Sequence, residues 1–259
     1  MLRAGQVDED RWERERRIKW LDLEKLRGSR VLVIGAGALG NEAVKDLVLA
    51  GIGHITLVDM DHVVRSNLSR CVLFRERDHA ERRLKAEAVA ERAVDLDPGA
   101  SVTPVAGRVE DLPPEVWKEH RLVLGCLDNV AARLHVNSHA YFHGVPYVDG
   151  GTDGFSGRVQ VVVPPATPCL QCGLNRTHYK ILEKRYSCTG AEVAFYQPKV
   201  AAEITTTSIV AAVQVREAIK LLCGLEDRTI KNVLHYDGLR GRWDELELSF
   251  DPECPMHSL

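Results

Sequence analysis

The stretch VLVIGAGALG, residues 31–40, decides how the rest of the chain is read. A run of β-branched and aliphatic residues enters Gly35, Gly37 and Gly40, where missing side chains permit a tight turn and let phosphate approach the backbone at a helix N-terminus. Asp59 closes the next apolar run, ITLVD, at the distance from which a carboxylate can accept hydrogen bonds from a ribose. Taken alone, this is a dinucleotide fingerprint. The residues that follow it point to a different nucleotide.

Outward from the turn, Arg30–Ile34, Asn41–Ala50 and His54–Asp59 read as strand, helix and strand, a βαβ unit. A helix from about Arg82 to Val94 and strands at Val102–Val105 and Leu122–Cys126 continue the alternation. The expected fold class is therefore α/β, a Rossmann-like, mainly parallel sheet with flanking helices and its ligand at the carboxyl edge. Beyond Val145–Asp149, the segments 158–163, 233–236 and 246–250 suit antiparallel C-terminal strands. A long apolar helix over Val200–Leu222 should pack on the sheet, although Thr205–Thr207 disfavour its first turns. Residues 1–27 read as an N-terminal helical segment. Its apolar set, Trp12, Ile18, Leu21 and Leu26 in a charged stretch, suits a helix outside the sheet.

A chain of 259 residues, 45% hydrophobic, can bury a full core as one α/β domain. A net charge of −3 gives no electrostatic reason to expect nucleic acid or a membrane as partner. No charge-free apolar stretch of about eighteen residues is present to span a bilayer. The opening MLRAGQVDEDRWERERR lacks the apolar centre of a signal peptide, so a cytoplasmic protein is expected. Seven cysteines leave one unpaired in any complete disulfide scheme, and a core of this size needs no such staples. Reduced thiols are then available for metal or catalysis.

The segment VDMDHVVRSNLSR, residues 58–70, gathers Asp59, Asp61, Asn67 and Arg70 at a strand end. Carboxylates there can bind ribose and magnesium, while an amide and a guanidinium can hold phosphate oxygens. Lys85 follows, and Asp128 with Asn129 closes the strand LVLGCLDN. Hydride transfer has no evident use for this set. Attack by a carboxylate on the α-phosphorus of ATP needs that charge neutralisation.

Together GAGALG, DMDHVVRSNLSR, LKAEAVAE, CLDNVAAR and YVDGGTDGFSGRVQVVVPPATPCLQC resemble the ubiquitin-activating superfamily, from about Arg11 to the end of the chain. That superfamily includes the bacterial enzymes that adenylate sulfur-carrier proteins. Within it, DGGTDGFSGRVQVVVPP and CLQC look most like the catalytic subunits that activate Nedd8. The resemblance implies that Asp59 binds the ATP ribose, that Asn67, Arg70 and Lys85 bind the phosphates, and that Asp128 holds Mg2+. RWER, residues 11–14, is similar to an Arg-aromatic-x-Arg whose second arginine reaches the partner protomer's ATP site, which gives Arg14 that role and implies a homodimer. Residues 28–259 become an adenylation domain with a crossover loop at about 173–199 and a zinc-binding tail. Two departures stand out: Cys71 replaces a usual glutamine and Ala38 a usual glycine.

Cys169 and Cys172 form CLQC, and Cys254 and His257 form CPMH, two ligand pairs of a spacing that suits tetrahedral zinc. The superfamily's site uses cysteine throughout, so His257 is a substitution by another competent ligand. Cys188 lies in a polar stretch beside Lys184 and Arg185. Cationic neighbours lower a thiol pKa, and exposure permits attack, so the setting favours a nucleophile. The resemblance likewise gives Cys188 the place of a thioester cysteine. Cys71, Cys126 and Cys223 read as small core residues, and His135 and His139, four apart, as packing residues.

The function implied is ATP-dependent adenylation of the C-terminal carboxylate of a ubiquitin-like protein ending in glycine. Thioester formation on Cys188 and transfer to a conjugating enzyme would follow. Three alternatives stay open: a sulfur-carrier adenylyltransferase of the thiamine or molybdopterin type, an inactive scaffold subunit, and a dehydrogenase.

Overall fold

In strand β1 (Arg30–Ile34) all four residues after Arg30 are buried, as a strand covered on both faces requires. The computed structural model, which describes residues 11–174, 201–231 and 233–257, sets β1 inside a sheet of eight strands ordered β3-β2-β1-β4-β5-β6-β7-β8. Strands β2 (His54–Val58), β3 (Ser101–Val105), β4 (Leu122–Gly125) and β5 (Tyr147–Asp153) continue the parallel part. Strands β6 (Ser156–Val162), β7 (Val233–Asp237) and β8 (Arg242–Leu246) extend it antiparallel. The chain travels outward through β1, β2 and β3, then returns to the other side of β1 to start β4. That reversal opens a crevice at the carboxyl ends of β1 and β4. The Rossmann-like reading of the fold therefore holds, antiparallel C-terminal strands included.

Alternation along β1 assigns the two faces. Val31 and Val33 join a core with α2 (Ala38–Leu49), α4 (Lys85–Leu96) and the helix we number α7 (Ile204–Leu222). Leu32 and Ile34 join a second core with α5 (Pro114–Glu119), α6 (Val130–Phe142) and the segments bearing Cys169 and Cys254. Two short helices, α1 (Leu23–Arg27) and α3 (Glu76–Ala80), complete the set among the described residues. None of the described helices is long and apolar enough to cross a membrane.

Two local expectations are revised, and one helix was not foreseen. The described part of the N-terminal segment is not one amphipathic helix: a 3-10 turn at Glu15–Arg17 ends at Ile18, and α1 starts afresh after Asp22, whose side chain accepts from the Lys25 N–H at 3.1 Å. Ile18 and Trp20 stay exposed. Buried Trp12 against Gly51 holds the segment, with the Arg11 guanidinium on the Leu96 carbonyl and 3.0 Å from Asp97. The last strand, expected at 246–250, lies at 242–246 because the turn between Asp237 and Arg242 sets the register, with Trp243 opposite Tyr236 and the two rings 4.6 Å apart at a tilt of 35°. Helix α6 escaped sequence reading because the residues it turns to the protein include Arg133, Asn137 and Tyr141 rather than a plain apolar stripe.

Three threonines open α7 without disrupting it, because the Glu203 carboxylate caps them. It accepts from the Thr205 and Thr206 N–H groups at 2.7 and 2.9 Å and from both hydroxyls. Those bonds favour the charged form and hold the Glu203 carboxyl at about 2, below the ordinary 4.5. A carboxyl depressed on folding stabilises fully above its unfolded pKa and loses that contribution as pH falls through the folded value. Glu203→Ala should accordingly lower the Tm at pH 7. The gap from wild type should shrink as pH falls from 4.5 toward 2, as checked by thermal melts across that range.

Candidate functional site

The glycine turn is built from two close approaches and one opening. At Gly35 φ is +101°, and a Cβ there would lie 2.5 Å from the Cys126 carbonyl oxygen. At Gly40 a Cβ would lie 1.9 Å from the Gly35 oxygen, so the first turn of α2 presses on the end of β1. Gly37, the N-cap of α2, has φ −71°, and an added Cβ would meet nothing within 4 Å. Neither backbone conformation nor packing demands glycine at 37, and its open side leaves room for a ligand at the helix N-terminus, where orphan N–H groups attract anions. Asn41, fully buried and not singled out from sequence, fastens the turn. Its amide donates to the Ala36 and Gly37 carbonyls at 2.8 and 3.0 Å and accepts from the Leu73 N–H at 3.0 Å. A lone asparagine in the apolar first turns of α2 was the available signal.

Asp59, just past β2, accepts from the Ala36 N–H at 2.7 Å through one oxygen and from the Asp61 N–H at 2.8 Å through the other. Burial raises its pKa, against the Lys85 charge and those two N–H groups. A carboxylate offers about four lone-pair positions, so capacity remains for a diol. Lys85 opens α4 with its ammonium 2.7 Å from the exposed Asp61 carboxylate and its N–H on the Asp61 carbonyl. Buried Asn67 accepts from the Val64 N–H at 3.0 Å, and its carbonyl receives the N–H groups of Arg70 and Cys71. The Arg70 guanidinium turns back onto the Ser66 carbonyl. Cys71 sits beneath this group. Burial pushes its thiol up to about 11, opposed by the Arg70 and Lys85 charges and reinforced by Asp59, which suits a core residue rather than a nucleophile.

Across the crevice Asp128 is exposed just beyond β4, while the Asn129 side-chain oxygen is committed to capping α6 through the Ala132 N–H at 2.7 Å. The loop bearing Asp128 is clamped by Arg133, a residue that sequence reading passed over. Its guanidinium donates to the Leu127 carbonyl, to Asp149 at 2.8 Å and to the Gly150 carbonyl at 2.9 Å. Asp149 is fully buried, yet the Tyr147 hydroxyl donates to it at 2.8 Å and Arg158 at 3.2 Å, so its charge is compensated. Buried Gln214 of α7 donates to the Gly125 and Val148 carbonyls, both at 2.9 Å, and ties the helix to the same strand ends.

Arg14 is exposed and stands apart from this group. Trp12 and Arg11 pin its segment at the far ends of α2 and α4, roughly 18 Å of helix from the crevice. Cys188 and most of the expected crossover loop lie outside the described residues.

A second cluster lies on the α6 face of the sheet. Donor atoms of Cys169, Cys172, Cys254 and His257 all fall within 4.8 Å of one another. The Cys169 sulfur is 3.9 Å from that of Cys172 and 3.7 Å from that of Cys254, and His257 Nε2 is 2.9 Å from the Cys172 sulfur. Four zinc-sulfur bonds of about 2.3 Å in a tetrahedron would set sulfurs about 3.8 Å apart, so the thiols fit. Burial and the neighbouring thiols push the Cys254 thiol up to about 12; a bound divalent ion would invert that balance. Helix α6 serves both clusters at four-residue intervals. Asn129 caps it, Arg133 holds the Asp128 loop, Asn137 accepts from the Leu170 N–H at 3.0 Å, and the Tyr141 hydroxyl lies 2.7 Å from His257 Nδ1. On its flank His139 stacks on Trp117 at 5.0 Å, with His135 beside it, a packing role for both histidines.

With this geometry in hand, the relatives are informative. The chain is 31% identical over 235 residues to molybdopterin-synthase adenylyltransferase of Escherichia coli, covering 90% of this chain and 88% of that protein. It is 37% identical over 164 residues to the NEDD8-activating enzyme E1 catalytic subunit of Schizosaccharomyces pombe, covering 61% of this chain and 36% of that one. Thus it spans about a third of that eukaryotic relative's length. Among solved structures, Escherichia coli MccB with ATP superposes with a TM-score of 0.78 at 20% identity, over 98% of this chain and 75% of that one, a likeness of fold. Residues 12–256 match the ThiF family as a whole, and the chain belongs to that family.

Proposed function

We propose that this chain binds Mg-ATP in the crevice between β1 and β4 and adenylates the C-terminal carboxylate of a small ubiquitin-like protein ending in glycine. The observation that carries the reading is the grouping of Asp59, Asn67, Arg70 and Lys85 at the edge where Gly37 leaves the N-terminus of α2 open, with Asp128 exposed just beyond β4, the strand next to β1. The names of the relatives, an adenylyltransferase and an activating enzyme, support it.

In this reading Asp59 accepts from the ribose hydroxyls, and the α2 N-terminus, Asn67, Arg70 and Lys85 bind phosphate oxygens. Lys85 exchanges Asp61 for phosphate, leaving that carboxylate for the nucleotide's cation. Asp128 would hold magnesium, which when bound neutralises charge on the phosphates. A substrate carboxylate oxygen attacks the α-phosphorus, the bond to the bridging oxygen breaks, and pyrophosphate leaves. Binding energy from the body of the protein substrate positions its tail. The distance of Arg14 from its own crevice suits a role in the ATP site of a second protomer, which makes the working unit a homodimer. In the second step the Cys188 thiolate attacks the acyl carbon, AMP departs, and the thioester passes to a conjugating enzyme. A reducing cytoplasm suits these thiols.

One observation favours a second reading. Likeness to the bacterial adenylyltransferase runs over 90% of this chain, against 61% for the eukaryotic catalytic subunit; on that reading the chain would stop at the acyl adenylate or pass it to sulfur, as a sulfur-carrier adenylyltransferase. Cys188→Ala separates the two. Under the first reading it keeps carrier-dependent ATP–pyrophosphate exchange and loses a thiol-sensitive adduct with the carrier; an adduct that survives rejects the thioester role of Cys188.

Asp128→Asn should reduce ATP–pyrophosphate exchange about 100-fold or more, the scale seen when charge stabilisation is removed from a reacting centre. Undiminished exchange would remove Asp128 from the mechanism. The two glycines give a sharper contrast, since a methyl group at 37 enters empty space and one at 40 collides with backbone. Gly37→Ala should cost under about 1 kcal/mol in urea unfolding while weakening nucleotide binding by calorimetry. Gly40→Ala should destabilise the fold itself.

Cys169, Cys172, Cys254 and His257 are proposed to hold one structural Zn2+, since four protein donors leave no open position for substrate. Elemental analysis of protein purified without chelator should return about one zinc per chain. Cys169→Ser should lose the metal and lower the Tm.

A further inference from the structure

Of the four donors at the cysteine cluster, His257 alone offers a choice of atom. A thiolate binds a cation through its one sulfur, whereas imidazole has two nitrogens and can present either. The surroundings remove that choice. Nε2 faces the Cys172 sulfur at 2.9 Å, while Nδ1 lies 2.7 Å from the Tyr141 hydroxyl. The ring is also wedged between aromatic neighbours, edge-on to Tyr141 at 4.9 Å and 86° and to Phe250 at 5.0 Å and 81°. Tyr141 comes from α6, which one turn earlier places Asn137 on the Leu170 N–H, between Cys169 and Cys172. One helix therefore braces both halves of the donor set.

We infer that Tyr141 is a positioning residue that fixes His257 as an Nε2 metal ligand, by accepting the Nδ1 hydrogen bond and thereby selecting one tautomer. The inference rests on the proposal that the cluster binds zinc. A cation on Nε2 requires the ring's proton on Nδ1, and the phenol oxygen is the acceptor in reach. Outer partners of this kind orient a ligating imidazole, and their loss typically weakens metal binding 10- to 100-fold. Should the ligand be a thiolate instead, no tautomer remains to be selected, and Tyr141 has nothing to fix.

That difference supplies the experiment. Full-length wild type, Tyr141→Phe, His257→Cys and the double variant are stripped with chelator, and Zn2+ affinity is measured by competition with a chromophoric chelator. Co2+ spectra report the donor set. Tyr141→Phe should weaken Zn2+ binding 10- to 100-fold and shift the Co2+ bands. In the His257→Cys background the same change should alter affinity less than about threefold. Equal affinity of Tyr141→Phe and wild type, or an equal loss in both backgrounds, overturns the role of Tyr141 and leaves the zinc proposal standing. A wild type that takes up neither metal overturns both. Should His257→Cys fail to fold, nitrogen NMR of zinc-loaded wild type decides: a protonated Nδ1 is expected, and a metal-bound Nδ1 overturns the assignment.

Discussion

The Gly35 carbonyl oxygen occupies the space where Gly40 would carry a side chain, and the crevice depends on that contact. It draws the first turn of α2 onto the end of β1, so the N-terminus of α2 opens beside strand ends instead of above them. Gly35 meets the Cys126 carbonyl at similarly short range, which brings the loop after β4 against the same turn. Asn41 then anchors the Leu73 backbone to the turn, and Asp59 binds the Ala36 N–H. Groups far apart in sequence thus converge through two backbone approaches that only Gly35 and Gly40 allow and two side-chain bonds to backbone N–H groups.

Charge is handled differently on the two sides of the crevice. Around Asp59 and Lys85 the polar groups are partly solvated and paired with one another, so their hydrogen bonds can be exchanged for those of a ligand. Around Asp149 the carboxylate itself is fully buried, with Arg133 mostly covered and Arg158 reaching it from the surface. A buried carboxylate of this kind is tolerated only because two arginines and a phenol satisfy it, and removal of one partner of a buried pair typically costs about 3–5 kcal/mol. Asp128 stands next to this buried carboxylate network, on a loop whose Leu127 carbonyl Arg133 holds.

Much of this was legible in the sequence because it follows from period and spacing. Strands β1, β2 and β4 announce themselves as short β-branched runs, and the glycine turn and CLQC–CPMH pairs as fixed offsets. What was hidden is what depends on partners. Arg133, Asn137 and Gln214 are polar residues whose contacts lie many residues away, so no local pattern marks them as buried. The failed N-terminal helix shows the converse: its apolar residues kept a helical spacing, but Trp12 found Gly51 while Ile18 and Trp20 found nothing among the described residues to cover them fully. Asp22 then offered a better helix start. The position of β8 followed from a turn, which sequence alternation cannot locate to the residue.

Helix α6 acts as a ruler. Its three inward contacts, at Arg133, Asn137 and Tyr141, span eight residues, about 12 Å of helix. Their phase matters as much as their distance, because each residue advances the helix by about 100°. A single residue inserted between Arg133 and Asn137 would swing the last two contacts away from the cysteine cluster while Arg133 stayed at the crevice. This helix can therefore vary in composition along its outer face, but its length is set by the two clusters it joins.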